Sequence, residues 1–509
     1  MTKGPVSEFL RRVLKSLLER VESGDDNPSA RAKPERWFQK EFHLPPVVVG
    51  VVTAMLLYSV LALNTELTGV QALGLAMFVS IVMILFTVYL HRDQKDLVKS
   101  DDAMALLAVI FFTTLIWIKI IAVLSIRYRW VTPYLTPIAL APLLTALLLN
   151  PRLAMVTSFA VSLIFGLVNG YSLQVAMVGA IGGATMVATV TAARTVHNVA
   201  RAGLIVGFVQ TTVVAFLAVM QNWNHMFASA AMVEAFVSGI ASAMFALGVL
   251  PYLESFFSRI SNLRLVELAS ANHPLLQRMS MDAPGTYHHS LIVASLAEDA
   301  GNAIGANGLL CRVGAYFHDI GKMVKAEYFI ENQGTFRNPH DQVSPSLSKL
   351  VITSHVKEGV ALAKAHKLDK QIADFIPQHH GTSQIEFFYQ KALKMEENED
   401  ESNREDVKEE SYRYPGPKPQ TKEAGIIMLA DSVEATSRTL EEPNHQRFKD
   451  VVNKIVNKKL FDGQLDETPL TLRDLRAIAE RFTASLSSIH HARIAYPDTG
   501  KKKEETSFQ

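Results

Sequence analysis

The chain has 509 residues, 49% of them hydrophobic, and a net charge of +1, so its overall charge offers nothing to a nucleic-acid polymer. A single cysteine, Cys311, excludes an intramolecular disulfide and argues against a cysteine-based zinc site, which suits chemistry in a reducing cytosol. Apolar residues concentrate in 46–252 and histidines in the part that follows, where nine of the 16 fall between His273 and His380.

Residues 1–45 read as a cytosolic tail. Within it Val6, Phe9, Leu10, Val13, Leu14, Leu17, Leu18 and Val21 recur at helical spacing, with Arg11, Arg12, Lys15 and Arg20 between them. This is an amphipathic helix, either lying on the inner membrane surface or packed on the soluble part. It does not read as a cleavable signal peptide.

Apolar stretches long enough to cross a bilayer then recur eight times, near 47–64, 72–90, 104–125, 134–149, 153–170, 173–191, 203–220 and 231–251. The fourth is short and carries Pro137 and Pro142, which makes it the least regular. Eight spans put both termini on one side. That side holds Arg92, Lys95, Lys99, Arg152, Arg194 and Arg201, against Arg127 and Arg129 on the other, so both termini are expected in the cytosol. Lys119 and Glu234 lie inside spans but close to their ends, and no dense set of intramembrane acids suggests a transporter.

A helical connector is expected over 253–267, then a helical soluble domain over 268–495 and a polar tail over 496–509. "SLIVASLAEDAGNAIG" (290–305) and "SHVKEGVALAKAHKL" (354–368) show apolar residues at three- and four-residue steps, and no run alternates as a strand would. The fold class expected is all-α, a polytopic membrane domain followed by a helical cytosolic domain. Residues 395–411 hold nine acids and read as a solvated loop.

Metal-ligand residue types recur through this soluble half, at His289, His318–Asp319, His355, His379–His380 and Asp431. Each sits in an apolar, helix-like setting where an unpaired charge or imidazole would be expensive. Alone, each has an ordinary explanation; together they point to one cavity and a metal centre. Imidazole and carboxylate ligands suit Fe, Mn, Co, Ni or Zn.

"HDIGK" (318–322), with a histidine upstream and an aspartate downstream, resembles the HD superfamily of metal-dependent phosphohydrolases. "PGTYHHSL", "HDIGKM", "ENQ", "NPHD", "FIPQHHGTS" and "RYPGPKPQTKEAGI", behind a membrane block, resemble the seven-transmembrane HD family of cyclic di-AMP phosphodiesterases over 72 to about 495. That resemblance implies two divalent transition-metal ions, iron or manganese. His289, His318, Asp319 and Asp431 would hold one. Asp319 would bridge to the other, on His355, His379 and His380. It also implies hydrolysis of cyclic di-AMP to pApA by a metal-activated hydroxide, in the cytoplasmic membrane of a bacterium, with the lipid bilayer as the other partner and self-association left open.

Lys322, four residues after His318, is expected to hold a phosphate oxygen, and His288, His340 and Asp341 to support the site. His379 and His380 point about 100° apart if helical, so Gly381 should end that helix and the pair should play unequal roles. Family members usually carry a large external domain after the first span; here that interval is "NTELTGVQ" (64–71). Two alternatives stay open: an HD receptor that binds a cyclic dinucleotide without turnover, and an HD hydrolase of cyclic di-GMP or ppGpp. The absence of "GYP" after the paired histidines counts against cyclic di-GMP.

Overall fold

A computed structural model describes residues 69–489, apart from 129, 192, 334–337 and 398–406. The amphipathic tail helix, the first expected span (47–64), Arg129 and residues 490–509 lie outside the described residues. Those described are helical almost throughout, with one isolated antiparallel bridge, Gln384 to Arg413, and no strand.

Seven apolar helices come first: α1 (Gly69–Asp93), α2 (Asp101–Arg127), α3 (Leu140–Leu148), α4 (Pro151–Val168), α5 (Leu173–Val190), α6 (Val196–Met220) and α7 (His225–Phe257). All but α3 are long and apolar enough to cross a membrane. They match the second to eighth expected spans. α3 is short for the reason its prolines suggest, being preceded by a 3-10 turn at Pro133–Leu135. Irregular backbone at membrane depth is tolerated when protein surrounds it. Here Leu140, Leu143, Leu144 and Leu148 are all buried, and Glu234 of α7 accepts hydrogen bonds from the Thr132 backbone N–H, at 2.8 Å, and from its hydroxyl. Polar caps start α2 and α4 to α7. The side chains of Ser100, Asn150, Ser172, Thr195 and Asn224 each accept from a backbone N–H in the first turn that follows.

α7 runs through residue 252 without a break and ends at Ser258, which takes a left-handed conformation (φ 49°). The first five residues of the expected connector are thus the last turns of a span. Arg259 then donates to Ser100 Oγ at 2.8 Å, and the Ser261 N–H donates to Glu254 at 2.9 Å. α8 (Asn262–Leu268) already places Leu265 and Leu268 in the soluble core.

That core is built by α9 (Pro274–Asp282), α10 (Pro284–Ala303), α11 (Gly308–Phe317), α12 (Pro345–Ala365), α13 (Phe375–Gln378), α14 (Glu386–Glu397), α15 (Lys422–Ser437), α16 (His445–Phe461) and α17 (Leu472–Ile489). α15 is its axis, buried continuously from Ala424 to Asp431. The acidic segment is narrower than its composition suggests. α14 continues through Glu397, a 3-10 turn occupies Glu409–Tyr412, and Arg413 pairs with Glu409 at 2.6 Å.

Candidate metal centre

Five pieces of chain converge around Asp431, in the middle of α15. His289 comes from the first turns of α10, and His318 and Asp319 from the end of α11. His355 lies mid-way along α12, His379 and His380 follow α13, and Asp431 comes from α15. All but His380 are buried, and His380 is nearly so.

The seven side chains form two sets around Asp319. His289, His318, Asp319 and Asp431 offer ligand atoms within 4.8 Å of one another, and so do Asp319, His355, His379 and His380. Asp319 divides its oxygens between them. Oδ2 faces His318 Nε2 at 3.2 Å and His289 Nε2 at 3.6 Å; Oδ1 faces His355 and His379 Nε2, each at 3.4 Å. Asp431 Oδ1 closes the first set, 3.1 Å from His289 Nε2.

Three of the histidines are oriented by the same local device. The Nδ1–H of His318 donates to Ala315 O at 2.6 Å, that of His355 to Ile352 O at 2.6 Å and that of His379 to Ile376 O at 2.7 Å. Each bond reaches back one helical turn, fixes the tautomer and leaves Nε2 as a lone-pair donor. His289 uses a carboxylate instead, its Nδ1 lying 2.5 Å from Glu434 Oε2, while Arg438 holds the other Glu434 oxygen at 2.5 Å. His380 departs from the pattern. It turns Nδ1 toward Asp431, 3.6 Å away, and stacks on Tyr414 at 4.2 Å. Gly381, at φ +55°, ends the turn there, and His379 and His380 differ in geometry.

Two glycines make the convergence possible. A Cβ at Gly321, inside "HDIGK", would lie 1.8 Å from His355 O, so the turn after Asp319 can press onto α12 only without a side chain. A Cβ at Gly285 would lie 1.8 Å from Glu331 O, where the Asn332 side chain accepts from the Thr286 N–H at 3.1 Å and ties "ENQ" to the start of α10.

Lys322 reaches the cluster by a different route from the one its spacing suggested. α11 stops at Phe317 and a 3-10 turn follows from Ile320, so Lys322 is placed by its i+3 relation to Asp319. Its ammonium lies 2.6 Å from Asp319 Oδ2, 3.0 Å from Glu331 Oε1 and over the Phe329 ring. His288 is exposed on the outside of α10, away from the cluster. His340 is buried, donating from Nε2 to Tyr328 O at 3.0 Å and packing on Phe388. Asp341 is exposed and faces Lys391 at 3.7 Å. His340 thus pins the segment carrying Phe329 and Glu331, Asp341 faces α14, and neither touches the cluster.

The site attracts cations. Burial works against a charged His318, yet Asp319 and Asp431 together raise its imidazole to about 10, which reports a strongly negative local field. On the far side, burial lowers His355 to about 4. His289 Nε2, His318 Nε2 and both Asp319 oxygens are buried without a hydrogen bond. Lone pairs of imidazole and carboxylate facing each other at 3 to 4 Å are the arrangement that a divalent cation resolves, and the donor set fits a first-row transition metal.

The sequence did not single out Glu434, Glu331, Tyr414 or Lys459. Glu434 carried a usable signal, since it lies three residues after Asp431 on the same face of a buried helix.

The profile of the family described as "7TM receptor with intracellular HD hydrolase" matches residues 70–261, and that of the HD domain matches 286–436. The cyclic-di-AMP phosphodiesterase PgpH of Bacillus subtilis is 38% identical over 437 residues, covering 84% of this chain and 60% of that protein. PgpH of Listeria monocytogenes is 35% identical over 440 residues, covering 86% and 60%. The chain thus spans about three fifths of the length of these curated relatives. A crystal structure of the Listeria PgpH HD domain in complex with cyclic-di-AMP aligns with 43% of this chain and all of that one, at 43% identity and a TM-score of 0.41.

Proposed function

This chain belongs to the family of seven-transmembrane receptors with an intracellular HD hydrolase, and from that premise we propose that it is a membrane-anchored phosphodiesterase that opens cyclic di-AMP to the linear dinucleotide pApA. The observation that carries the reading is the sharing of Asp319 between two complete four-residue ligand sets. Two divalent ions, iron or manganese, held by His289, His318, Asp319 and Asp431 and by Asp319, His355, His379 and His380, would supply Lewis acidity at the phosphate and acidity to the attacking water.

The protein's own groups do the rest. Asp319 fixes the spacing of the two sets. Glu434 and the three backbone carbonyls hold the imidazoles in one tautomer, so no reorganisation is needed as charge develops. Lys322, deeply set and steadied by Glu331, presents a cation to the phosphate oxygens while the 3′ oxygen departs. His380 and Tyr414 form a flat, partly apolar wall beside the reacting centre. The Lys/Arg-rich ends of the spans, with α7 leading directly into the HD helices, support a cytosolic HD domain in a bacterial cytoplasmic membrane.

The test is turnover by the full chain in detergent, loaded anaerobically with Fe(II) or Mn(II), on cyclic di-AMP, cyclic di-GMP and ppGpp. We expect pApA from the first, abolished by Asp319→Ala. Tight binding of cyclic di-AMP without product would make the protein a receptor. Faster turnover of another nucleotide would move it within the HD hydrolases.

A further inference from the structure

A cyclic dinucleotide carries two phosphodiesters, and the centre described above, with Lys322, serves the one being cleaved. The other brings a second negative charge into the same cleft, and this inference rests on that substrate reading. One cation in the HD domain has no role so far. Lys459, half-buried near the end of α16, donates from its ammonium to Ser383 Oγ at 2.7 Å. Ser383 is 6% exposed and belongs to the ligand loop: its N–H donates to His380 O at 3.1 Å, and its carbonyl accepts from the Tyr414 N–H at 3.0 Å. Lys459 is therefore two hydrogen bonds from His380 and from the ring stacked on it.

Among the described residues, no carboxylate lies within ion-pair range of Lys459. The two acids whose fields reach it are engaged elsewhere. Asp431 faces His289 at 3.1 Å and His380 at 3.6 Å, and Asp462 is gripped by Arg413 at 2.9 and 3.2 Å. The neighbouring Lys458 is the contrast, exposed and paired with Glu386. Burial lowers the Lys459 ammonium to about 8, against the pull of Asp431 and Asp462. An ammonium withdrawn from water without a counter-ion is costly, and an arriving anion offsets that cost. The Ser383 hydroxyl, accepting from Lys459, keeps its own O–H to donate to the same anion.

We propose that Lys459 and the Ser383 hydroxyl hold the phosphodiester of the cyclic dinucleotide that is not being cleaved. The pair then selects a substrate with two phosphates over a simple diester, which has nothing to place there.

The experiment compares cyclic di-AMP with bis(p-nitrophenyl) phosphate, a single diester, on the Mn(II)-loaded full chain, for wild type, Lys459→Gln and Lys459→Arg. A charged hydrogen bond of about 1.5 kcal/mol corresponds to roughly tenfold. Lys459→Gln should therefore lower the ratio of kcat/KM for the cyclic substrate to that for the simple one by about tenfold, carried by KM, with Lys459→Arg recovering much of it. Bound manganese and Tm report separately on folding. An unchanged ratio, whether both activities fall together or neither does, overturns the proposal. Wild-type protein that cleaves the simple diester and not cyclic di-AMP overturns the substrate reading itself, a failure seen before any variant is made.

Discussion

At the scale of single residues, the side chains that cluster were legible and their supports were not. His289, His318, Asp319, His355, His379, His380 and Asp431 stand out because each is a polar group in an apolar helical context. Glu434 reads in sequence as an ordinary helical acid. Only its burial, at 1% exposure, and its contact with His289 show its work. A carboxylate behind a metal-facing imidazole fixes its orientation and raises its basicity, and losing such a partner commonly costs about 10- to 100-fold in metal affinity. Glu434→Ala should weaken manganese binding within that range, read by titration followed by EPR, while Glu434→Gln, which keeps a hydrogen-bond acceptor, should fall toward the lower end. Full affinity in both would reduce Glu434 to an anchor for Arg438. Gly321 teaches the same lesson from the backbone. "HDIGK" reads as a motif, but why its fourth residue must lack a side chain appears only when the His355 carbonyl is found against it.

At the scale of elements, helix positions followed from apolar periodicity, and their ends from caps that composition does not rank. α6 begins seven residues before the expected span because Thr195 caps it, and α7 outlasts its span because nothing stops it before Ser258. The segment after the acidic stretch holds the site together without being an element. Arg413 grips Asp462 with two nitrogens, at 2.9 and 3.2 Å, and donates to Thr382 O at 2.9 Å, joining the end of α16 to the loop that follows His380. Burial alone would raise the Asp462 carboxyl, but the Arg413 and Gln464 bonds outweigh it and hold it below the usual carboxylate range. A carboxyl lowered on folding stabilises the protein fully above its unfolded value of about 3.9, and that stabilisation is lost as pH falls through the lower folded value. Asp462→Asn should therefore lower Tm at pH 6 and converge with wild type as the pH drops below about 4. Parallel Tm curves for the two proteins down to the acid limit would show that the pair contributes nothing measurable.

At the scale of the whole molecule, the division into an apolar half and a histidine-rich half was plain from composition, and the continuity between them was not. α7 carries the chain out of the bundle, Arg259 reaches back to the cap of α2, and Arg264 reaches forward to Asp369 at 3.1 Å, so the exit from the membrane is fastened on both sides. Orientation is the property on which the two halves depend together. The proposed activity on an intracellular messenger requires the HD helices to be in the cytosol. With that proposed orientation, the turn between α4 and α5 would lie outside and the turn between α5 and α6 inside. The single cysteine makes this directly measurable, because Cys311 is buried and should stay silent to a membrane-impermeant maleimide. Tyr171, 64% exposed in the α4–α5 turn, and Arg194, exposed in the α5–α6 turn, provide opposite reporters. In intact cells Tyr171→Cys should label and Arg194→Cys should not; after permeabilisation both should. Labelling of Arg194→Cys alone in intact cells would invert the molecule, put the histidine–aspartate cluster outside the compartment of the proposed substrate, and leave the charge bias along the spans without its usual meaning.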